Sequence, residues 1–193
     1  SGISGLVLAI MIGSGKKVEK IKPHNLLIAL IGGILVWMGW YGFNTGSAFA
    51  FNSVALTSFI NTVIAASGGA FGWLVFEYII TKKLSLLGLL SGVLAGLVTI
   101  TPAAGYVTTL SAYIISIVGG IFCYIVINHI KEKYKYNDTL DAFGIHGVGG
   151  IIGAILTGIF QSHQVNSDIT NGLIYNGDLH PIFIQSIAVV IVV

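Results

Sequence analysis

The stretch DAFGIHGVGG, residues 141–150, places one carboxylate and one imidazole in otherwise apolar sequence. An ionisable side chain at the centre of a membrane-spanning helix costs about 2.5–3.5 kcal/mol on insertion scales, so where it occurs it is usually paired or functional. An imidazole both donates and accepts hydrogen bonds and titrates near neutrality, which suits a polar lining in a narrow pore. His146 alone leaves two readings open, a satisfied structural histidine and a pore-lining one. Asp141 precedes it by five residues. On a helix with about 3.6 residues per turn that is a net rotation of about 140°. The two side chains do not share a face, and a direct Asp–His pair is not expected. Asp138 is placed to cap the helix start. Asp141, read as one turn inside that helix, is placed to stabilise the positive end of the helix dipole. Both are read as structural polar groups.

A second group is GWYGFNTGSAFAF, residues 39–51. Trp40 and Tyr41 fit an aromatic belt at a membrane interface. The alternative is a vestibule for a small cation. Aromatic faces attract cations by about 0.5–2 kcal/mol, and the hydroxyl of Ser47 can accept a hydrogen bond from a cationic donor. His24, His129, His163 and His180 fall in loops or at helix ends and read as interfacial. Cys123 lies in an apolar run and reads as a small buried side chain. No metal or cofactor is assigned. A haem site needs axial histidines at depth, and His146 is the one that qualifies. An intramembrane aspartyl protease needs two aspartates at depth, and Asp141 is the one nearby. An enzyme is not expected.

The elements that must position these residues are membrane helices. Of 193 residues, 55% are hydrophobic and 8% charged, against about 25% charged in soluble domains. The net charge of +2 suggests no nucleic-acid partner. A spanning helix needs roughly 17–25 apolar residues. Five segments qualify, at about 26–43, 53–76, 84–100, 102–127 and 139–160. Half-length segments at 3–12 and 181–193 flank them. The expectation is an all-α, polytopic membrane helix bundle of five full helices and two partial ones. It forms a single membrane domain over 1–193, read as a fragment of a longer protein.

The nine basic residues are all lysines and alternate by loop. Lys16, Lys17, Lys20 and Lys22 occupy the first, Lys82 and Lys83 the third, and Lys131, Lys133 and Lys135 the fifth. Basic loops stay cytoplasmic, so the odd loops are expected inside and the even loops outside, in a cell (inner) membrane. Glu77 is expected at the inner interface beside Lys82 and Lys83. Pro102 is expected to begin a helix, and Asn44–Gly46, Asn171–Gly172 and Asn176–Gly177 to form outer turns. The glycines at 88, 92 and 96, at 68 and 72, and at 149 and 153 repeat every four residues. They read as surfaces for close helix packing.

Together these stretches resemble the ammonium transporter family, with its Amt, Mep and Rh branches. The matching runs are HNLLIALIGGILVWMGWYGFN (24–44), GWYGFNTGSA (39–48), SLLGLLSGVLAGLVTITPAAGYV (85–107) and DTLDAFGIHGVGGIIGAILTGIF (138–160). The resemblance implies an eleven-helix fold, outside N-terminus and inside C-terminus, assembled as a homotrimer with one pore per subunit. This chain would run from the end of helix five to the start of helix eleven, and so hold the second inverted repeat. By the same resemblance, His146 matches the second histidine of a pore-lining pair and Phe43 a gating phenylalanine. Ser47 matches a vestibule serine that contacts the cation, Thr101 lines the pore, and Asp141 is structural. The implied substrates are ammonium and ammonia, with methylammonium as an analogue, and the implied surroundings a lipid bilayer. The first histidine of the pair, the other gating phenylalanine and the vestibule tryptophan belong to the family's first half, which this chain does not contain. The competing reading is a non-transporting structural or regulatory membrane subunit.

Overall fold

A computed structural model describes residues 2–12, 24–134, 136, 138 and 140–192. The helices, in chain order, are α1 (Gly2–Ile12), α2 (Leu26–Gly46), α3 (Ser53–Thr81), α4 (Leu86–Ile100) and α5 (Thr109–Ile125). A π-helical segment (Val126–Ile130) continues α5 into α6 (Lys131–Tyr134). A second π-helical segment (Phe143–Gly147) opens α7 (Val148–Phe160), followed by α8 (Leu173–Asn176) and α9 (His180–Val192). The fold is an all-helical membrane bundle. Lys16, Lys17, Lys20, Lys22 and Lys135 lie outside the described residues.

Each long helix starts where a short polar side chain offers an oxygen to unpaired backbone N–H groups. Asn25 accepts from Leu27 and Ile28 at 3.0 and 3.1 Å to start α2. Asn52 accepts from Ala55 to start α3 and Ser85 from Gly88 to start α4. Thr108 accepts from Ser111 to start α5. Among the described residues, four helical stretches are long and apolar enough to cross a membrane: Leu26–Gly46, Ser53–Thr81, Thr109–Tyr134 and Phe143–Phe160. The remaining expected span, α4, has 15 residues, about 22 Å at 1.5 Å per residue.

The centre of the bundle is α3, packed between α4 and α5. Lipid tails are as apolar as leucine, so the contact is built from close van der Waals packing between small residues. A Cβ added at Gly69 would lie 2.4 Å from the Gly92 carbonyl oxygen and from Gly96 Cα. One added at Gly72 would lie 2.3 Å from the carbonyl oxygen of Ile117. The same device joins α7 to α4, where a Cβ at Gly153 would meet the Thr99 carbonyl oxygen at 2.2 Å. Of the glycines that repeat every four residues, Gly72, Gly96 and Gly153 sit against neighbouring backbone, whereas Gly88 and Gly149 face side chains.

Several local expectations are corrected. Pro102 does not begin a helix. Residues 101–106 form successive turns with three-residue hydrogen bonds, Ala103 to Ile100 and Tyr106 to Ala103. The buried Asn61 of α3 donates through Nδ2 to the carbonyls of Ala104 and Val107, both at 2.8 Å. Non-helical backbone is tolerated at membrane depth when protein groups satisfy it in this way. Asn44–Gly46 is not a separate turn but the end of α2. Asn44 is buried there and donates to Thr62 Oγ1 at 3.0 Å. The turn comes next, at Ala48 and Phe49. Glu77, near Lys82 and Lys83 at the end of α3, engages Ser85. It accepts from Ser85 Oγ at 2.7 Å and so ties the end of α3 to the start of α4. Asn176 ends the one-turn helix α8, and Gly177 caps it with a left-handed backbone at φ 69°.

At the end opposite the Glu77–Ser85 tie, the α4–α5 link and the segment after α7 are joined. An antiparallel bridge pairs Val107 with Gln161, and Ser162 N donates to the Tyr106 carbonyl at 2.8 Å.

Candidate functional site

The segment carrying His146 departs most from regular helix. The sequence places a helix start near Thr139, with Asp141 one turn inside. In the structure the helix begins after Asp141, which has a left-handed backbone at φ 54° and an ion pair to Lys131 at 2.6 Å. Asp138 is buried, and its two carboxylate oxygens accept from Ala142 N and Phe143 N at 2.9 and 2.8 Å. The capping carboxylate thus reaches forward across a non-helical link. His146 falls in the opening π-helical turn. Single π turns inside α-helices are rare and often sit at functional sites.

The imidazole of His146 is exposed. It faces an open groove of about 730 Å³ between α1, the second π segment with α7, and α9. The lining is aliphatic apart from His146 and Ser4, with Val7, Ile151, Ala154 and Val189 among its walls. Helix α1 rests directly on the histidine's backbone. A Cβ on Gly2 would lie 2.0 Å from Gly147 N and 2.7 Å from the carbonyl carbon of His146. Only a glycine permits that approach. The half-length segment at the start of the chain is therefore one wall of the groove.

On its other side His146 meets Trp40. The two rings are parallel to within 7°, with centroids 6.2 Å apart. Trp40 Nε1 in turn donates to Thr101 Oγ1 at 2.8 Å, and Thr101 Oγ1 donates to the Leu97 carbonyl at 2.7 Å. Thr101 thus reaches His146 through an indole held by a hydrogen bond. Trp40, which in the sequence fits an aromatic belt or a cation vestibule, is the partner of His146 that sequence reasoning does not single out. A signal was present. Trp40, Phe43 and Ser47 are spaced three and four apart, which puts them on one side of α2. From Trp40 to Ser47 the rise is about 10 Å. Phe43 is 62% exposed, and Ser47, at the C-terminal cap of α2, donates to the Phe43 carbonyl at 2.7 Å. Neither lines the groove. The structure brings together His146, Trp40 and Thr101, leaves Phe43 and Ser47 farther along α2, and gives Asp141 to Lys131.

The arrangement is an apolar groove wall with one imidazole displayed on it. An indole stacks against that imidazole, and a row of aromatic and hydroxyl groups continues toward one end. Among the described residues no group of three His, Cys, Asp or Glu side chains could hold a metal ion.

The whole chain, residues 1–193, matches the model of the Ammonium Transporter Family. It is 49% identical over 189 residues to an ammonium transporter of Bacillus subtilis (strain 168), covering 98% of this chain and 46% of that protein. It is 41% identical over 185 residues to an ammonium transporter of Aquifex aeolicus (strain VF5), covering 96% and 43%. Its fold superposes on the crystal structure of Saccharomyces cerevisiae Mep2 with a TM-score of 0.87 and 36% identity, over 98% of this chain and 45% of that one. For Candida albicans Mep2 the TM-score is 0.83 at 34% identity, over 97% and 44%. The chain spans about half the length of the curated relatives it matches. With its sequence matched from end to end and its helices superposed on solved relatives, the chain belongs to the ammonium transporter family.

Proposed function

We propose that this chain supplies the second half of an ammonium-conducting pore. It is the second inverted repeat of the family fold, from the end of helix five to the start of helix eleven. The observation that carries the reading is the placement of His146, displayed on the wall of an aliphatic groove and stacked on Trp40. The intact protein is a homotrimer in the cell membrane with its lysine-rich loops cytoplasmic.

The physical difficulty is taking a small cation through an apolar conduit. The Born cost of moving such an ion into a low dielectric is of order 20 kcal/mol. Removing its proton costs far less. With an amine pKa near that of lysine, about 10, three units above neutrality amount to about 4 kcal/mol. Deprotonation therefore wins. Ser47 and the aromatic faces of α2 recruit ammonium at the outer end. Neutral ammonia then passes Phe43, whose ring stands between that end and Trp40 along the helix. It continues past His146, whose ring nitrogens can donate or accept as ammonia requires.

The test uses the intact transporter containing this chain, expressed in cells lacking their own ammonium uptake. His146→Ala is expected to abolish or alter selective ammonium and methylammonium uptake. Wild-type uptake and selectivity in that variant would remove the histidine from the mechanism.

A further inference from the structure

The link that leads into the second π segment holds a group the pore reading does not use. Lys131 donates to Asp141 Oδ1 at 2.6 Å and also to the carbonyl of Asp138. The Lys131 and Asp141 side chains are 21% and 30% exposed. A partly buried contact of this kind is charge-assisted and short, unlike most surface ion pairs. It fastens Asp141 in a left-handed conformation, which non-glycine residues seldom adopt and which Asn and Asp tolerate better than most.

Lys131 is also the last rung of a stripe. Cys123, Ile127 and Lys131, four residues apart, face the second π segment in antiparallel order. Cys123 Sγ lies 4.0 Å from the Ile145 carbonyl oxygen. Ile127 fills the space over Gly144, where an added Cβ would lie 2.3 Å from Ile127 Cγ1. Lys131 takes Asp141. This stripe holds the segment from one side, while Trp40 and Gly2 meet it from the side that displays His146. Hydrogen bonds in a π turn span one residue more than in an α-helix. The direction in which His146 points therefore depends on where that turn begins, and it begins two residues after Asp141.

The geometry points to Lys131 as a positioning residue for His146. By holding Asp141 in its left-handed turn, it sets the register of the second π segment and so the orientation of the imidazole. The effect on transport rests on the pore reading, whereas the effect on the ring does not.

Both are measured in the intact transporter containing this chain, purified and reconstituted into liposomes. Lys131→Met keeps the apolar stem without the charge, and Asp141→Asn removes the charged partner. Lys131→Arg keeps a cation, and Lys83→Met controls for loss of a lysine elsewhere. Uptake per inserted molecule is expected to fall about tenfold or more in the Lys131→Met and Asp141→Asn variants, as when supporting contacts of a reactive group are removed. The concentration for half-maximal uptake stays unchanged, Lys131→Arg recovers most of the rate, and Lys83→Met matches wild type. The imidazole nitrogen resonances of His146, identified by their loss in His146→Gln, shift in both neutral variants. Unshifted resonances with a wild-type rate per molecule overturn the proposal. So does a lower amount of inserted protein whose rate per molecule is unchanged, since that is a folding role alone. If wild-type liposomes take up no ammonium, the transport reading fails separately, and the His146 resonances still decide the positioning role.

Discussion

The hydrogen bond between Trp40 and Thr101 gives a quantitative handle on the site. Thr101→Val keeps the shape of the side chain and removes the acceptor that lies 2.8 Å from Trp40 Nε1. The indole N–H is then left without its partner in a part-buried position. Leaving a buried donor unsatisfied costs about 1–3 kcal/mol, and polar contacts measured between membrane helices average about 0.6 kcal/mol. These bracket a value near ~1 kcal/mol, roughly a fivefold loss of the stacked arrangement. Trp40→Phe removes the donor and keeps an aromatic face for His146. Transport rates per molecule of the intact protein are measured for Thr101→Val, Trp40→Phe and the double variant. Each single change is expected to lower the rate severalfold, and the double variant to be no worse than the more severe single. The cycle then yields a coupling of about 1 kcal/mol. Thr101→Ser, which keeps the hydroxyl, is expected to retain the wild-type rate. Effects that multiply in the double variant would show that Trp40 and Thr101 act independently, and the linked reading of this trio would fall.

Other expectations concern the scaffold. Asn61→Leu strands the Ala104 and Val107 carbonyls and should destabilise the protein by about 1–3 kcal/mol, read as a lower melting temperature in detergent. Gly96→Val is expected to prevent close approach of α4 to α3, because its Cβ alone would lie 2.2 Å from the Ala65 carbonyl oxygen; the yield of folded protein measures it. Asp138→Ala removes the acceptor for two backbone N–H groups and should cost about 0.5–2 kcal/mol, the range for a lost cap, seen as a lower melting temperature. The Tyr136 hydroxyl is pushed up to about 12, first by burial and then by the negative charges of Asp138 and Asp141. A phenol whose folded pKa lies above its unfolded value of about 10 adds stability that is complete below pH ~10 and lost as pH rises through ~12. Wild type should therefore lose stability relative to Tyr136→Phe as the pH of an alkaline unfolding series rises across that window.

What the sequence determined by itself is what one-dimensional pattern can carry. Apolar runs long enough to span a bilayer are a matter of length and composition, and they located α2, α3 and the helix ending at Phe160. The four-residue glycine repeats announced close packing, since a missing Cβ is a local property. His146 stood out because an imidazole in apolar sequence is costly unless it is used.

What only the tertiary structure decided is where local rules are overruled by distant partners. Pro102 looked like a helix start, but Asn61, more than forty residues away, satisfies carbonyls of the turns that take the helix's place. Asp141 looked like a first-turn residue, but Lys131 holds it in a left-handed bend and Asp138 reaches across the link to cap the π segment beyond it. Trp40 looked like interfacial belt until Thr101 and His146 arrived beside it from two other parts of the chain. Each case has the same physical cause. A backbone or ring group needs a partner where water is scarce, and which residue supplies it depends on how the helices pack.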